Sequence, residues 1–160
     1  MVGGTGMLAG LVRALAEEGD YVTVLARRGW RGDSVQGRVQ SLMVDYRNTG
    51  LLELALKHNG LFDRMVAWIH SDAPEALGVL RQAVMGDVLC VLGSAAADPG
   101  FPSRIPASGE PREVILGFVR EGGHSRWLTD AEISAGVLQA LRSGEPRSVV
   151  GVVTPWSERP

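Results

Sequence analysis

The chain has 160 residues, enough for one domain with a buried core, and 45% of them are hydrophobic against 21% charged, as in globular proteins. A formal net charge of −2 provides no basic surface for nucleic acid and no polybasic arm for a membrane. No apolar run reaches the ~18 residues that span a bilayer, and the first residues predict no signal peptide. Because Cys90 is the only cysteine, an internal disulfide is excluded and we expect a cytoplasmic protein.

Short apolar segments alternate with segments of helical period along the chain. The predicted strands are residues 21–26, 40–45, 65–70, 88–93, 113–119 and 148–153. The predicted helices are residues 7–18, 49–59, 74–85 and 131–142. Most strands are apolar on both faces, as in parallel sheets covered by helices. The pattern predicts one α/β domain over residues 1–160, with a doubly wound, mostly parallel, Rossmann-like sheet and a loose or partner-docked tail at 154–160.

Local signals mark the helix ends and one irregular connection. Glycines are placed to end the first two helices, and capping-box spacing marks the start of the last two. These signals are Gly19, Gly60, Asp72 with Glu75, and Thr129 with Glu132. After residue 93 the prolines recur too closely for a helix, which predicts an irregular crossover. These prolines are Pro99, Pro102, Pro106 and Pro111.

The first ten residues, MVGGTGMLAG, contain a G-x-x-G-x-x-A turn followed by a helix. Glycines permit such a turn and let backbone amides approach a pyrophosphate at the positive end of the helix. We therefore predict a dinucleotide-binding turn formed by Gly3, Gly4, Thr5, Gly6 and Met7. Because only two residues precede it, where a buried strand is normal, the alternative is a structural turn that binds nothing.

The next strand ends in VLARRG, where a dinucleotide fold meets the adenosine ribose. An acidic side chain there suits the ribose hydroxyls of NAD, whereas arginine suits the 2′-phosphate of NADP. Arg27 and Arg28 occupy this place, and no carboxylate appears before Asp33. The sequence favours NADP over NAD, with two solvated surface arginines as the alternative.

The motifs VGGTGML, VLARR and the later DY together resemble the short-chain dehydrogenase/reductase superfamily, especially its atypical small members. The resemblance implies a Rossmann-like fold, a nicotinamide cofactor, a small-molecule substrate and a homodimer. It implies that Asp45 contacts the adenine, with Tyr46 beside it. It also places Ser94, in VLGSAAA, where the family carries a catalytic serine.

The chain departs from the family pattern after that serine. The family's Tyr-x-x-x-Lys pair belongs on the following helix, but the only tyrosines here are Tyr21 and Tyr46 and the only lysine is Lys57. The usual proton relay is therefore excluded. WIHSDAP, LGFV and SRWLTDAEISAGV resemble a compact group named as short-chain dehydrogenases by similarity, whose members carry more apolar residues before the glycine turn. That resemblance implies that the first strand is missing here through a truncated start.

Other polar residues are candidates for chemistry at the same edge of the sheet. His70 ends an apolar strand and suits a general acid or a donor to a carbonyl, with a structural histidine as the alternative. Ser94 is either catalytic or a turn residue. Arg126 and Trp127 either cover a substrate or anchor the last helix. The spacing of His, Cys and acidic residues predicts no metal site.

Three functions are compatible with these residues. The first is an NADP-dependent oxidoreductase with an unusual proton donor, and the second is an NADP(H)-binding sensor or subunit without chemistry. The third is a structural α/β domain that binds no nucleotide.

Overall fold

The computed structural model describes residues 1–33, 35–100 and 105–160. Within them the helices are α1 (Ala9–Glu17), α2 (Thr49–Asn59), α3 (Pro74–Arg81) and α4 (Asp130–Ser143). The first four strands are β1 (Val22–Ala26), β2 (Val39–Met43), β3 (Met65–Trp68) and β4 (Val88–Gly93). The last four are β5 (Arg112–Leu116), β6 (Phe118–Glu121), β7 (His124–Trp127) and β8 (Arg147–Val150). None of the helices in this part of the chain is both long and apolar enough to cross a bilayer.

The main sheet is parallel and is covered by helices on both faces. Strands β3, β4, β5 and β8 lie side by side in that order, and β1 pairs with β2. Helices α1 and α4 pack on one face in one hydrophobic cluster, and α2 and α3 pack on the other face in a second cluster. The predicted α/β fold with a doubly wound, Rossmann-like sheet is confirmed.

A two-residue segment at the start of the chain occupies the centre of the sheet. Val2 forms parallel bridges with both Leu25 of β1 and Ala67 of β3. On the β3 side, the N–H of Val2 donates to the carbonyl of Val66 at 2.8 Å. On the β1 side, the N–H of Leu25 donates to the carbonyl of Met1 at 2.8 Å. The strand order is therefore β2, β1, residues 1–2, β3, β4, β5, β8, with a very short strand where the sequence predicted a missing one.

The Met1 ammonium group takes a position that a peptide N–H occupies in a longer strand. It donates to the carbonyl of Thr23 at 2.9 Å. Burial between the two halves of the sheet lowers the pKa of this ammonium group from 8.0 to about 6. The sheet thus contains an ionisable group close to its centre.

The helix-end signals were confirmed at three places and wrong at one. Gly19 and Gly60 follow α1 and α2 with φ of 109° and 77°. The hydroxyl of Thr129 and the carboxylate of Glu132 form the predicted capping box of α4. The predicted box at Asp72 and Glu75 does not form, because α3 begins at Pro74 with Ala73 as its N-cap residue. Asp72 instead pairs with Arg47.

The predicted strand 113–119 is two strands separated by Gly117. A Cβ at Gly117 would lie 2.1 Å from the carbonyl oxygen of Val152, so the two backbones approach there as only glycine permits. The second strand, β6, turns at Gly122 and Gly123 and pairs with β7 as an antiparallel hairpin that was not predicted. Both hairpin strands have four residues and little apolar alternation, so the sequence signal was weak.

The C-terminal tail contacts this hairpin. Arg120 of β6 pairs with Glu158 at 2.6 Å. The guanidinium of Arg159 lies 5.4 Å from the ring centroid of Trp127 and 5.0 Å from that of Trp156. Residues 156–159 are thus attached to β6 and β7, whereas the sequence predicted a loose or partner-docked tail.

The irregular crossover predicted after residue 93 is confirmed over the described residues. The 3-10 turn Ser94–Ala97 follows β4, and residues 105–111 contain no helix. Pro102 lies outside the described residues.

Replacing Val2 with threonine should destabilise the protein. Val2 is 2% exposed, and threonine has nearly the same shape but brings a hydroxyl into an apolar cluster. We expect the free energy of unfolding to fall by about 1–3 kcal/mol, measured by urea denaturation. The matched control is Val149→Thr, because Val149 is 45% exposed on β8 and should change stability by less than about 0.5 kcal/mol. Equal effects of the two substitutions would show that residue 2 is not a critical part of the sheet.

Candidate functional site

The glycine turn connects the short central strand to α1. Gly3 has φ of +77°, and a Cβ there would lie 3.2 Å from the carbonyl oxygen of Trp68. A Cβ on Gly4 would lie 2.7 Å from the Met1 side chain. In contrast, a Cβ on Gly6 would meet no described atom within 4 Å. The first two glycines therefore satisfy internal packing, whereas Gly6 presents bare backbone on the outside of the turn.

An open groove lies beside this turn, on the β1 side. It has a volume of about 520 Å³. One wall comes from the turn and α1 and the other from the loop after β1, with lining residues Thr5, Ala9, Gly10, Arg13, Arg28, Gly29, Trp30, Arg31 and Gly32. Arg28 thus lies where the sequence predicted a phosphate-binding side chain, but Arg27 is not among the described residues that line the groove. Three arginines make this groove strongly basic.

Trp30 fixes the shape of the loop wall. Its backbone N–H donates to the hydroxyl of Ser41 on β2 at 2.8 Å. Its indole N–H donates to the carbonyl of Asp33 at 3.1 Å. A Cβ on Gly32 would lie 2.4 Å from the indole ring, so the loop folds directly against it. These contacts hold the loop beside the glycine turn.

Asp45 and Tyr46 lie in the loop that follows β2, and Tyr46 contacts the loop after β3. Tyr46 is buried, and its hydroxyl accepts the backbone N–H of His70 at 3.3 Å. Asp45 accepts the backbone N–H of Arg47 at 3.0 Å. The Arg47 guanidinium binds both carboxylate oxygens of Asp72 at 3.0 and 3.2 Å and lowers the pKa of that carboxyl group. Neither Asp45 nor Tyr46 is among the described residues that line the groove.

His70 and Ser94 follow neighbouring parallel strands at the carboxyl edge of the sheet. His70 is exposed, and its ring meets the ring of Trp68 edge-on at 5.8 Å between centroids. Ser94 is 6% exposed and begins the turn after β4. A Cβ on Gly93 would lie 3.6 Å from the Trp68 ring, which places this ring between the glycine turn and the segment at Ser94. In open α/β sheets ligands bind at this edge, where the strand order reverses.

The tyrosines and the lysine do not form the usual relay. Tyr21 precedes β1, at the opposite edge of the sheet from Ser94, and is 84% exposed. Lys57 lies in the last turn of α2. The hydroxyl of Tyr46 is already hydrogen-bonded to His70. The described residues therefore contain no tyrosine–lysine pair at the carboxyl edge of the sheet.

The segment at Arg126 supports α4. Two nitrogens of the Arg126 guanidinium each donate to the Glu132 carboxylate at 2.9 Å. Together with the Thr129 N–H and hydroxyl, this lowers the pKa of Glu132 to about 2. The same contacts favour the helix-anchoring interpretation of Arg126 over a clamp on substrate. Trp127, 47% exposed, contacts Arg159 of the tail.

No group of three or more His, Cys, Asp or Glu side chains in the described ranges is arranged to hold a metal ion.

Sequence reasoning missed the residues that shape the basic groove, namely Arg13, Trp30 and Arg31. Arg13 had a weak signal, because it lies four residues after Ala9 and therefore on the same face of α1 as the end of the glycine turn. The side chains of Trp30 and Arg31 belong to a loop, whose direction has no periodic signal.

Comparison of the sequence with models of known protein families gave no match, and comparison with curated proteins also gave none. Comparison of the structure with solved structures found a short chain dehydrogenase from Bacillus anthracis strain Ames Ancestor, with a TM-score of 0.61. The two share 15% sequence identity over 94% of this chain and 93% of the other. The chain has the fold of a short-chain dehydrogenase. The resemblance stated from the sequence motifs is therefore confirmed at the level of fold.

Removing the hydroxyl of Tyr46 should loosen the loop after β3. In Tyr46→Phe the backbone N–H of His70 loses its acceptor, so we expect a loss of about 0.5–1.5 kcal/mol in the free energy of unfolding. Exchange of the His70 amide hydrogen, followed by NMR, should become faster. Tyr21→Phe is the control, since this exposed tyrosine should contribute less than about 0.5 kcal/mol. An unchanged His70 amide in Tyr46→Phe would exclude the structural role given to this hydroxyl.

Proposed function

We propose that this protein is an NADP(H)-binding oxidoreductase that acts on a small-molecule substrate without the usual tyrosine–lysine relay. The observation that carries the proposal is the position of the exposed Gly6 backbone, three residues before the start of α1 and beside a groove lined by three arginines. The fold of a short-chain dehydrogenase supports it.

The residues around the turn fit a dinucleotide. A pyrophosphate needs close approach to backbone N–H groups near a helix N-terminus, and the bare Gly6 and the exposed Thr5 leave room for it. The groove beside the turn lies on the side of the sheet that meets the adenosine half in this fold. Gly3, Gly4, Thr5, Gly6 and Met7 would hold the cofactor through their backbone.

The basic groove favours NADP over NAD. Arg28 lines it, and the exposed Arg27 precedes Arg28 in the chain. An adenosine 2′-phosphate is a dianion that guanidinium groups bind through two parallel hydrogen bonds. Asp45 and Tyr46 would lie on the adenine side of this half of the site.

When bound, a nicotinamide cofactor supplies or accepts a hydride, so the protein needs only to position the substrate and move one proton. We assign that proton to His70, which is exposed at the carboxyl edge of β3. In reduction of a carbonyl compound, His70 would donate the proton to the substrate oxygen. Ser94, at the end of the adjacent strand, would donate a hydrogen bond to the same oxygen.

A second candidate is an NADP(H)-binding sensor or subunit without chemistry. It is favoured by the separation of Tyr21, Tyr46 and Lys57, none of which forms the usual relay. Oxidation of NADPH by the purified protein with a panel of aldehydes, ketones and enones distinguishes the two. Binding without turnover would identify the sensor or subunit, and no binding would leave the purely structural domain.

Replacing Gly6 with valine should block the cofactor without affecting the fold. The new side chain has open space around it in the free protein but occupies the approach to the backbone. We expect the Kd for NADPH, measured by quenching of tryptophan fluorescence, to rise by about tenfold or more, with an unchanged Tm. Trp68 is the reporter, because it lies against Gly3.

Gly78→Val is the matched control, since a Cβ at Gly78 of α3 also meets no described atom within 4 Å. Equal NADPH affinity of Gly6→Val and wild type would show that the turn is not the cofactor site.

Replacing His70 with glutamine should slow turnover without weakening cofactor binding. Glutamine keeps a hydrogen-bonding side chain of similar size but cannot transfer a proton near neutral pH. We expect kcat for NADPH oxidation to fall by about 10²- to 10⁴-fold, and the Kd for NADPH to stay the same. Ser94→Ala, assayed in parallel, should retain more activity than His70→Gln. An unchanged kcat in His70→Gln would show that water or another group, and not His70, donates the proton.

A further inference from the structure

We propose that Arg13 of α1 selects NADP(H) over NAD(H) by binding the 2′-phosphate together with Arg28 and Arg31, and that Asp33 pairs weakly with Arg13 when no phosphate is present. This inference rests on the proposed function and adds three residues from outside the strand-end segment VLARRG, namely Arg13, Arg31 and Asp33.

The rotation of α1 directs Arg13 into the groove. Leu11, Val12 and Leu15 are buried in the core cluster that α1 shares with α4. Arg13 therefore lies on the open side of the helix, with 53% of its side chain exposed, and it lines the groove with Ala9 and Gly10. Because the buried face fixes the rotation of α1 about its axis, Arg13 stays on the side of the helix that lines the groove.

The opposite wall brings the other two arginines to the same space. Arg28 and Arg31 flank Trp30, which is tied to β2 and to the carbonyl of Asp33. Neither arginine has a carboxylate of a described residue within 4.0 Å. The groove is thus lined by arginines on two sides.

One carboxylate partly compensates this charge. Asp33 lies 3.8 Å from the guanidinium of Arg13, and its side chain is 90% exposed. Three arginines and one aspartate leave a net charge of about +2, which matches a phosphate monoester of charge about −2 near neutral pH. An exposed ion pair at this distance is weak, so an incoming phosphate displaces Asp33 readily. A ribose with a free 2′-hydroxyl carries no charge there, so NAD(H) gains no affinity from these arginines.

The test compares Arg13→Gln with wild type in titrations with NADPH, NADH, adenosine 2′,5′-bisphosphate and ADP, by calorimetry. We expect the Kd values for NADPH and for the bisphosphate to rise by about 10- to 100-fold, and those for NADH and ADP to stay the same. Arg13→Lys, which keeps the charge but loses the planar fork, should lie between the two. Asp33→Asn should bind NADPH severalfold more tightly, because it removes the competing carboxylate.

Lys57→Gln is the matched control for net charge, because Lys57 lies on α2 and is not among the described residues of the groove. It should bind all four ligands like wild type, and an unchanged Tm of Arg13→Gln checks that the fold is intact. Wild type that binds NADPH and NADH equally would overturn the role of Arg13 and leave the cofactor site in place. An equal loss of NADPH and NADH in Arg13→Gln would do the same. Wild type that binds none of the ligands would overturn both this inference and the proposed function.

Discussion

The pairing of residues 1–3 with strands on both sides is the contact on which the rest of the structure depends. Val2 hydrogen-bonds to β3, and Gly3 donates its N–H to the carbonyl of Leu25 on β1 at 3.2 Å. No other backbone pairing between described residues joins β1 and β2 to the remaining strands. The two halves are also held by side chains, because each hydrophobic cluster contains residues from both halves of the sheet. The helices therefore pack across both halves of a sheet whose strands are joined at the centre by the backbone of residues 1–3.

The same junction positions the candidate site. The turn that follows Val2 begins with Gly3 against Trp68, so the glycine turn, Trp68 and His70 are placed by one short stretch of backbone. The basic groove depends on α1, which starts only after this turn ends. The proposed cofactor site and the centre of the sheet are thus built from the same few residues. A site at the place where two halves of a sheet meet is typical of doubly wound folds.

Most of the fold was predictable because its signals are local. Strand β4 and helix α2 were predicted to the residue, since β4 is a continuous apolar run and α2 lies between Asn48, which caps it, and Gly60. The capping box at Asp72 failed because α3 begins one residue later than the spacing implied, with Ala73 as its N-cap residue, and Asp72 pairs with Arg47, which is 25 residues away in sequence. The glycine turn and Arg28 were found from motif spacing, but Arg13 was not. The position of Arg13 in the groove depends on how a loop folds against a helix, and its spacing from Ala9 is only a weak local signal for that.

The ion pair between Arg126 and Glu132 has a consequence for how the protein responds to acid. The Arg126 guanidinium, with the Thr129 N–H and hydroxyl, lowers the pKa of Glu132 from 4.5 to about 2 in the folded chain, so the unfolded chain binds a proton more readily between these values. The stability that this carboxylate contributes is present above pH 4.5 and is lost as the pH falls towards 2. Folding in this range releases part of a proton to the solvent. Proton linkage at its first turn makes the start of α4 sensitive to strong acid.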